Sequence, residues 1–187
     1  TVLCGQLEGH PYRDVFSTVY SDDEEGGHFA ALAMKDRGRK DIVAVLGPQD
    51  NPAVVDRLRG YRAVLGEDLP DANVIYTGWN SGDGYQAMHQ ILAREIAFDG
   101  VLCGSDRIAA GVITALNEAG LSVPADVSVV GFDDHEIATR CVPALTTVRQ
   151  PLREEGHMAA NIALDMIKGA EPTTTVMHMQ LVQRDSL

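Results

Sequence analysis

Five short apolar runs limit what this chain can become. They are "IVAVLGP" (Ile42 to Pro48), "NVIYTGW" (Asn73 to Trp79), "GVLCGSD" (Gly100 to Asp106), "VSVVGFDD" (Val127 to Asp134) and "LTTVRQP" (Leu145 to Pro151). Each has strand length and gives way at its carboxyl end to glycine, proline or polar residues. Near-continuous apolar strands are buried on both faces, as in a parallel sheet covered by helices on each side. Helical periods fill the intervals. Phe29, Leu32, Ala33 and Met34 share a face that stops at Gly38, and Ile108, Ala109, Val112, Ile113 and Leu116 share one that stops at Gly120. After Pro151, a residue suited to a first helical turn, Leu152, Ala159, Ile162, Ala163, Met166 and Ile167 trace a third face that stops at Gly169. The expected fold is α/β, with parallel sheets flanked by helices.

In such sheets ligands sit beyond the carboxyl ends of the strands. That rule gathers Gly47 and Pro48, Gly78 and Trp79, Ser105 and Asp106, and Asp133 and Asp134 at one edge. These ends carry carboxylates, a hydroxyl and the sole tryptophan of the 187 residues, with Arg57 on the helix after the first of them. Sugars present hydroxyls that both donate and accept, together with apolar C–H faces. Arg57, Trp79, Ser105, Asp106 and Asp133 are the mixture that recognises such a molecule. Trp79 could equally plug a core, but the polar Asn80-Ser81-Gly82 after it favours an exposed, stacking ring. Asp134 precedes "HEIATR" and is expected to cap that helix, leaving Asp133 to accept hydroxyl hydrogen bonds. Asp106 is expected to cap the helix ending at Gly120, which makes Ser105 the better ligand contact of the two.

Catalysis finds little support. The chain has no HExxH, no GxSxG elbow and no P-loop, and its six histidines are scattered. No catalytic residue, metal or cofactor is expected. The balance of 45% hydrophobic and 22% charged residues is that of a globular protein. A net charge of -12 disfavours phosphate binding by this segment, so any contact with DNA belongs elsewhere. Cys4, Cys103 and Cys141 are odd in number and form no CxxC, which fits free thiols packed as small hydrophobes in a reducing cytoplasm. No run has the length of a membrane span and no signal peptide is evident. "SDDEEGG" (Ser21 to Gly27) is the sharpest change of composition, either a crossing between lobes with an acidic first helical turn or a solvated loop.

The stretch from Phe98 to Gly156, with "GSDRIAAGVITALNEAGLSVPADVSVVGFDD" at its centre, resembles the effector-binding core of lactose-repressor (LacI/GalR) type transcription regulators. "LGPQDNPAVVDRLRGYRAVL" (Leu46 to Leu65) and the closing "LVQRDS" (Leu181 to Ser186) are similar to the same family. The resemblance implies two Rossmann-like lobes of the type I periplasmic-binding-protein kind with a small effector in the cleft. Residues 1–20 and 150–177 would form part of an incomplete first lobe, and residues 22–148 with 178–187 the second. It assigns Arg57 as the guanidinium that grips hydroxyls, Trp79 as the aromatic plate and Asp133 as the acid. Phe132 is the aromatic beside that acid, Gln150 the residue after "LTTVR", and Gln6 the candidate contact from the first lobe. Ser105 stands where the family usually has Asn. The implied partners are a sugar-like effector, a second copy of the protein, and operator DNA read by a helix-turn-helix domain upstream. A transport-linked periplasmic sugar-binding protein of the same fold is the alternative.

Overall fold

The computed structural model describes residues 1–5, 15–94 and 96–187; Gln6 lies outside them. In chain order the elements are β1 (Val2–Cys4), β2 (Ser17–Ser21), α1 (Asp23–Asp36), β3 (Ile42–Leu46), α2 (Pro52–Leu65), β4 (Val74–Tyr76), α3 (Ser81–Leu92) and β5 (Gly100–Cys103). There follow α4 (Asp106–Glu118), β6 (Ser128–Asp133), α5 (Ile137–Arg140), β7 (Thr146–Arg149), α6 (Leu152–Ile167), β8 (Thr174–Met177) and β9 (Gln180–Val182). The chain divides into two compact units, Thr1–Asp22 with Gln150–Met179 and Asp23–Arg149 with Gln180–Leu187.

The larger unit is built on a six-stranded sheet in the order β4-β3-β5-β6-β7-β9. Every pairing is parallel except β7 with β9, so the carboxyl ends of β3 to β6 share one edge. Alternate side chains of the buried strands serve the two faces. Val43, Val45, Val101, Cys103 and Val129 pack with Met88, Ile91, Ile108, Val112 and Leu116 of α3 and α4. On the other side α1 packs on α2 and meets β5, β6, β7 and β9. The helix stops fall where glycine was expected, with Gly38, Gly120 and Gly169 at φ 78°, 77° and 97°.

Residues 180–187 close this unit. Ser186 donates to the Val129 carbonyl at 2.6 Å and accepts from the Thr146 N–H at 2.9 Å, while Arg184 Nη1 donates to the Leu145 carbonyl at 2.8 Å. A hydroxyl that satisfies two buried backbone groups at once holds β6 and β7 to the segment after β9.

In the smaller unit β1, β2 and β8 form a parallel three-stranded sheet. Ser21 Oγ donates to Glu155 Oε2 at 3.0 Å, tying β2 to α6. The apolar face read along α6 is only partly covered: Ala159, Ile162, Ala163 and Met166 are half-buried, whereas Leu152 and Ile167 are exposed. Strands of three to five residues, about 10–17 Å long, are too short to cover a sixteen-residue helix of about 24 Å along its whole length. Of the thiols, Cys103 is buried and Cys141 half-buried, but Cys4 is exposed and does not pack as a core hydrophobe.

Candidate functional site

The order of the larger sheet reverses between β3 and β5: the chain runs from β3 outward to β4, then crosses back to β5. A crevice opens at such a switch point, beyond the strand ends. Here the two flanking strands are followed at once by Gly47 and Gly104. A Cβ on Gly47 would stand 2.5 Å from the Trp79 ring, so only glycine lets the indole lie against the end of β3. The loop after Trp79 is fixed by a capping box on α3: Asn80 Oδ1 accepts from the Asp83 N–H at 3.0 Å, and Asp83 Oδ2 from the Asn80 N–H at 3.1 Å. Trp79 is 36% exposed.

Arg57 comes from α2 and is no surface charge. Its side chain is 5% exposed, with Nε donating to Asp23 Oδ1 at 2.8 Å and Nη1 donating to the Gly104 carbonyl. The same Nη1 lies 3.6 Å from Asp133 Oδ1, whose side chain is 32% exposed. The guanidinium stacks 3.7 Å over the centroid of the Phe132 ring. Phe132 is itself fully buried, so it is the platform under Arg57 rather than a surface for a ligand.

Ser105 takes the capping part expected of Asp106, and Asp106 is buried inside the fold. Ser105 has the extended backbone a cap requires, φ -158° and ψ 165°, and its hydroxyl accepts from the Ile108 N–H at 3.3 Å. Asp106 is already the first helical residue, and its carboxylate turns inward to bridge β7 and the turn after β6. It accepts from the Thr147 hydroxyl at 2.5 Å and from the His135 N–H at 2.6 Å. Gly131 makes the room, because a Cβ there would stand 2.3 Å from Asp106 Oδ1. Burial pushes the Asp106 carboxyl up, hydrogen bonds from Thr147 and His135 pull it down, and Asp133 and Asp134 raise it again, leaving it at about 7.

Asp134 does not cap a helix. α5 is a single turn whose N-cap position is Glu136, without a side-chain cap. Asp134 sits at φ 55°, outside the extended region a cap adopts, and its carboxylate binds Arg149 Nε at 2.7 Å and Arg184 Nη2 at 2.5 Å. Burial raises this carboxyl, but the bonds from Arg184 and Arg149 outweigh burial and hold it below its ordinary value. Asp133, just before it, has φ 106°. Two successive non-glycine residues at positive φ are strained, by about 1–3 kcal/mol each, and persist only where neighbours over-determine them. The neighbours are visible: two arginines on Asp134, and Asp106 on the N–H of His135. Their combined effect is to present the Asp133 carboxylate at the sheet edge.

The larger unit thus brings together Arg57, Trp79, Ser105, Asp106, Phe132 and Asp133, while Gln150 belongs to the smaller unit, where it is half-buried. Sequence reasoning missed Asp23, Thr147, His135, Arg149 and Arg184. The "QRD" of the closing segment marked Arg184 only as part of a matching strand. Among the described residues no group of three or more His, Cys, Asp or Glu side chains could hold a metal ion, and no helix is long and apolar enough to cross a membrane.

Residues 31–187 match the periplasmic binding protein-like domain. The chain belongs to that family. It is 36% identical over 184 residues to the HTH-type transcriptional repressor PurR of Salmonella arizonae, a match covering 96% of this chain and 54% of the repressor. The chain therefore spans about half the length of the curated relatives it matches. Among solved structures, a transcriptional regulator CelR–cellobiose complex superposes with a TM-score of 0.92 at 34% identity, over 100% of this chain and 58% of that one. A LacI family transcriptional regulator from Enterococcus faecalis with bound ribose superposes with a TM-score of 0.86 at 25% identity, over 99% of this chain and 76% of that one. The periplasmic binding protein-like fold is thus carried here by a relative of LacI-family regulators, as the sequence resemblance implied. Those relatives are transcriptional regulators rather than enzymes or transport proteins.

Proposed function

We propose that this chain is the effector-sensing part of a cytoplasmic, homodimeric transcription regulator, and that it binds a small sugar-like molecule at the carboxyl edge of the six-stranded sheet. The observation that carries the reading is the presentation of Asp133: a partly exposed carboxylate on a strained turn, backed by Arg57, on the same edge as the half-open face of Trp79. A carboxylate accepts hydrogen bonds from hydroxyls, and an indole covers the C–H face of a pyranose or furanose. Ser105, Asp106 and Phe132 hold these groups in place from below. Operator DNA is bound through a helix-turn-helix domain beyond these residues, because a segment with a net charge of -12 is poorly suited to phosphate. The effector acts by favouring one conformation of the regulator over another. The solved relatives with cellobiose and ribose support the ligand class.

The test is calorimetric titration of the complete protein with cellobiose and ribose, paired with operator binding measured with and without each sugar. Saturable binding that changes operator affinity is the expected result. A transport role predicts sugar binding with no effect on any DNA, and a secretion signal encoded upstream of Thr1.

A further inference from the structure

Arg57 is the only cation placed among the candidate ligand contacts, and its surroundings decide what kind of ligand its charge can serve. Its side chain is 5% exposed, and a carboxylate stands on each side of it, Asp23 Oδ1 at 2.8 Å from Nε and Asp133 Oδ1 at 3.6 Å from Nη1. Asp23 is itself mostly buried, with 15% of its side chain exposed, and it is the first residue of α1. A helix N-terminus favours negative charge, so α1 supports an ionised partner for the guanidinium. The groups are layered: Phe132 at the bottom, the guanidinium over its face, Asp23 beside it, and Asp133 as the most exposed charge of the set. A ligand approaching this layer meets a carboxylate before it meets the arginine. A hydroxyl donates to that carboxylate. A phosphate or a second carboxylate is repelled by it, and the positive charge behind is already engaged.

We infer that Asp23 sets the charge class of the ligand: by pairing with Arg57 it reserves the site for an uncharged polyhydroxyl compound and excludes phosphorylated and carboxylated ones. This rests on the sugar-binding reading above and deepens it. Asp23 acts as a positioning residue, through Arg57, and need not touch the ligand. Removing its charge returns the guanidinium to service as an anion receptor, the role for which its fork geometry is best suited.

The experiment compares matched probes on the complete protein: ribose against ribose 5-phosphate, and glucose and cellobiose against glucuronate. Each is titrated calorimetrically into the parent, Asp23→Asn and Asp23→Glu, with a thermal melt for each variant. The parent is expected to bind a neutral probe at least tenfold more tightly than its anionic partner. Asp23→Asn should narrow or reverse that ratio by about tenfold or more, and Asp23→Glu should keep the parental preference. A purely structural role for Asp23 would weaken all probes together and leave the ratio unchanged, which would overturn the inference. If Asp23→Asn fails to fold, the parent and Asp23→Glu still decide: tighter binding of ribose 5-phosphate or glucuronate than of their neutral partners by either protein sinks the inference while leaving a small-molecule effector in place. Binding of no probe, neutral or anionic, removes the sugar reading and the inference with it.

Discussion

Replacing Asp106 by Asn takes one buried charge out of the brace beneath Asp133. The parental carboxyl is fully buried and titrates at about 7, against an ordinary value of 3.8. Between those values the folded state holds a proton that the unfolded state has released. This group's contribution to stability is therefore fully present at low pH and is lost as pH rises through 7. From pH 5 to about pH 7 the native carboxyl keeps the proton that the unfolded chain has lost, so stability falls by about 1.36 kcal/mol per unit, about 2–3 kcal/mol in all, and then levels off by pH 8. Asn cannot titrate. Its carbonyl oxygen can accept from the His135 N–H and its amide N–H can donate to the Thr147 hydroxyl oxygen, much as a protonated carboxyl would, so the difference between the two proteins is mainly the titration. Urea unfolding followed by the fluorescence of Trp79, the only tryptophan and a residue of the larger unit, measures both proteins at pH 5, 6, 7 and 8. Subtracting one curve from the other cancels titrations common to both. The stability of the parent relative to Asp106→Asn should fall by about 2–3 kcal/mol between pH 5 and pH 8. Parallel curves over the whole range would refute the reasoning, because they would mean that burial does not hold the Asp106 proton.

Three further outcomes follow from the same geometry. Asp133→Asn and Trp79→Ala should each weaken ligand binding by roughly ten- to hundredfold in calorimetry, since a hydrogen bond to a charged group is worth about 1.5–3 kcal/mol and aromatic stacking a comparable amount together with its buried area. Asp134→Ala should lower unfolding free energy by about 1–3 kcal/mol, because it removes the carboxylate that holds the mostly buried Arg184 and releases a turn at positive φ, while the half-exposed Arg149 turns to water; a loss below about 0.5 kcal/mol in denaturant titration would count against the clamp. Ser105→Ala should cost about 1 kcal/mol through loss of the α4 cap and leave the preference among ligands unaltered, as read from melts and titrations together.

Periodicity carried the architecture well because burial on two faces imposes it directly. The runs at Ile42, Gly100 and Ser128 had no reading other than central strands, and Gly38, Gly120 and Gly169 ended helices where a positive φ was needed. At the level of residue type the sequence pointed to Arg57, Trp79 and Asp133 on one edge of the sheet, and the larger unit holds all three. Local propensity misled at Ser105, Asp106 and Asp134, since each can cap a helix in isolation. The choice among them was made by partners distant in sequence, Thr147 and His135 for Asp106, and Arg149 and Arg184 for Asp134. Asp23 was hidden for the same reason. An acidic first turn is good helix chemistry by itself, and nothing in "SDDEEGG" points to an arginine 34 residues later. The exposed Leu152 and Ile167 belong to a different class of miss: a helical period reports that a face is apolar, not how much of it this chain covers.

The larger unit is interrupted. It leaves off at Arg149 and resumes at Gln180, and the resumed segment supplies both β9 and the Arg184 that grips Asp134. On a ribosome this becomes a matter of timing. At about 5–20 residues per second, residues 150–179 separate the emergence of β7 from that of its antiparallel neighbour by roughly 2–6 s. Throughout that delay β7 is an open edge, Thr146 lacks the Ser186 hydroxyl, and Asp134 has one arginine instead of two. A nascent chain therefore has the sequence of five of its six sheet strands before it has the second arginine on Asp134, and a product cut short before Gln180 would lack both β9 and that arginine.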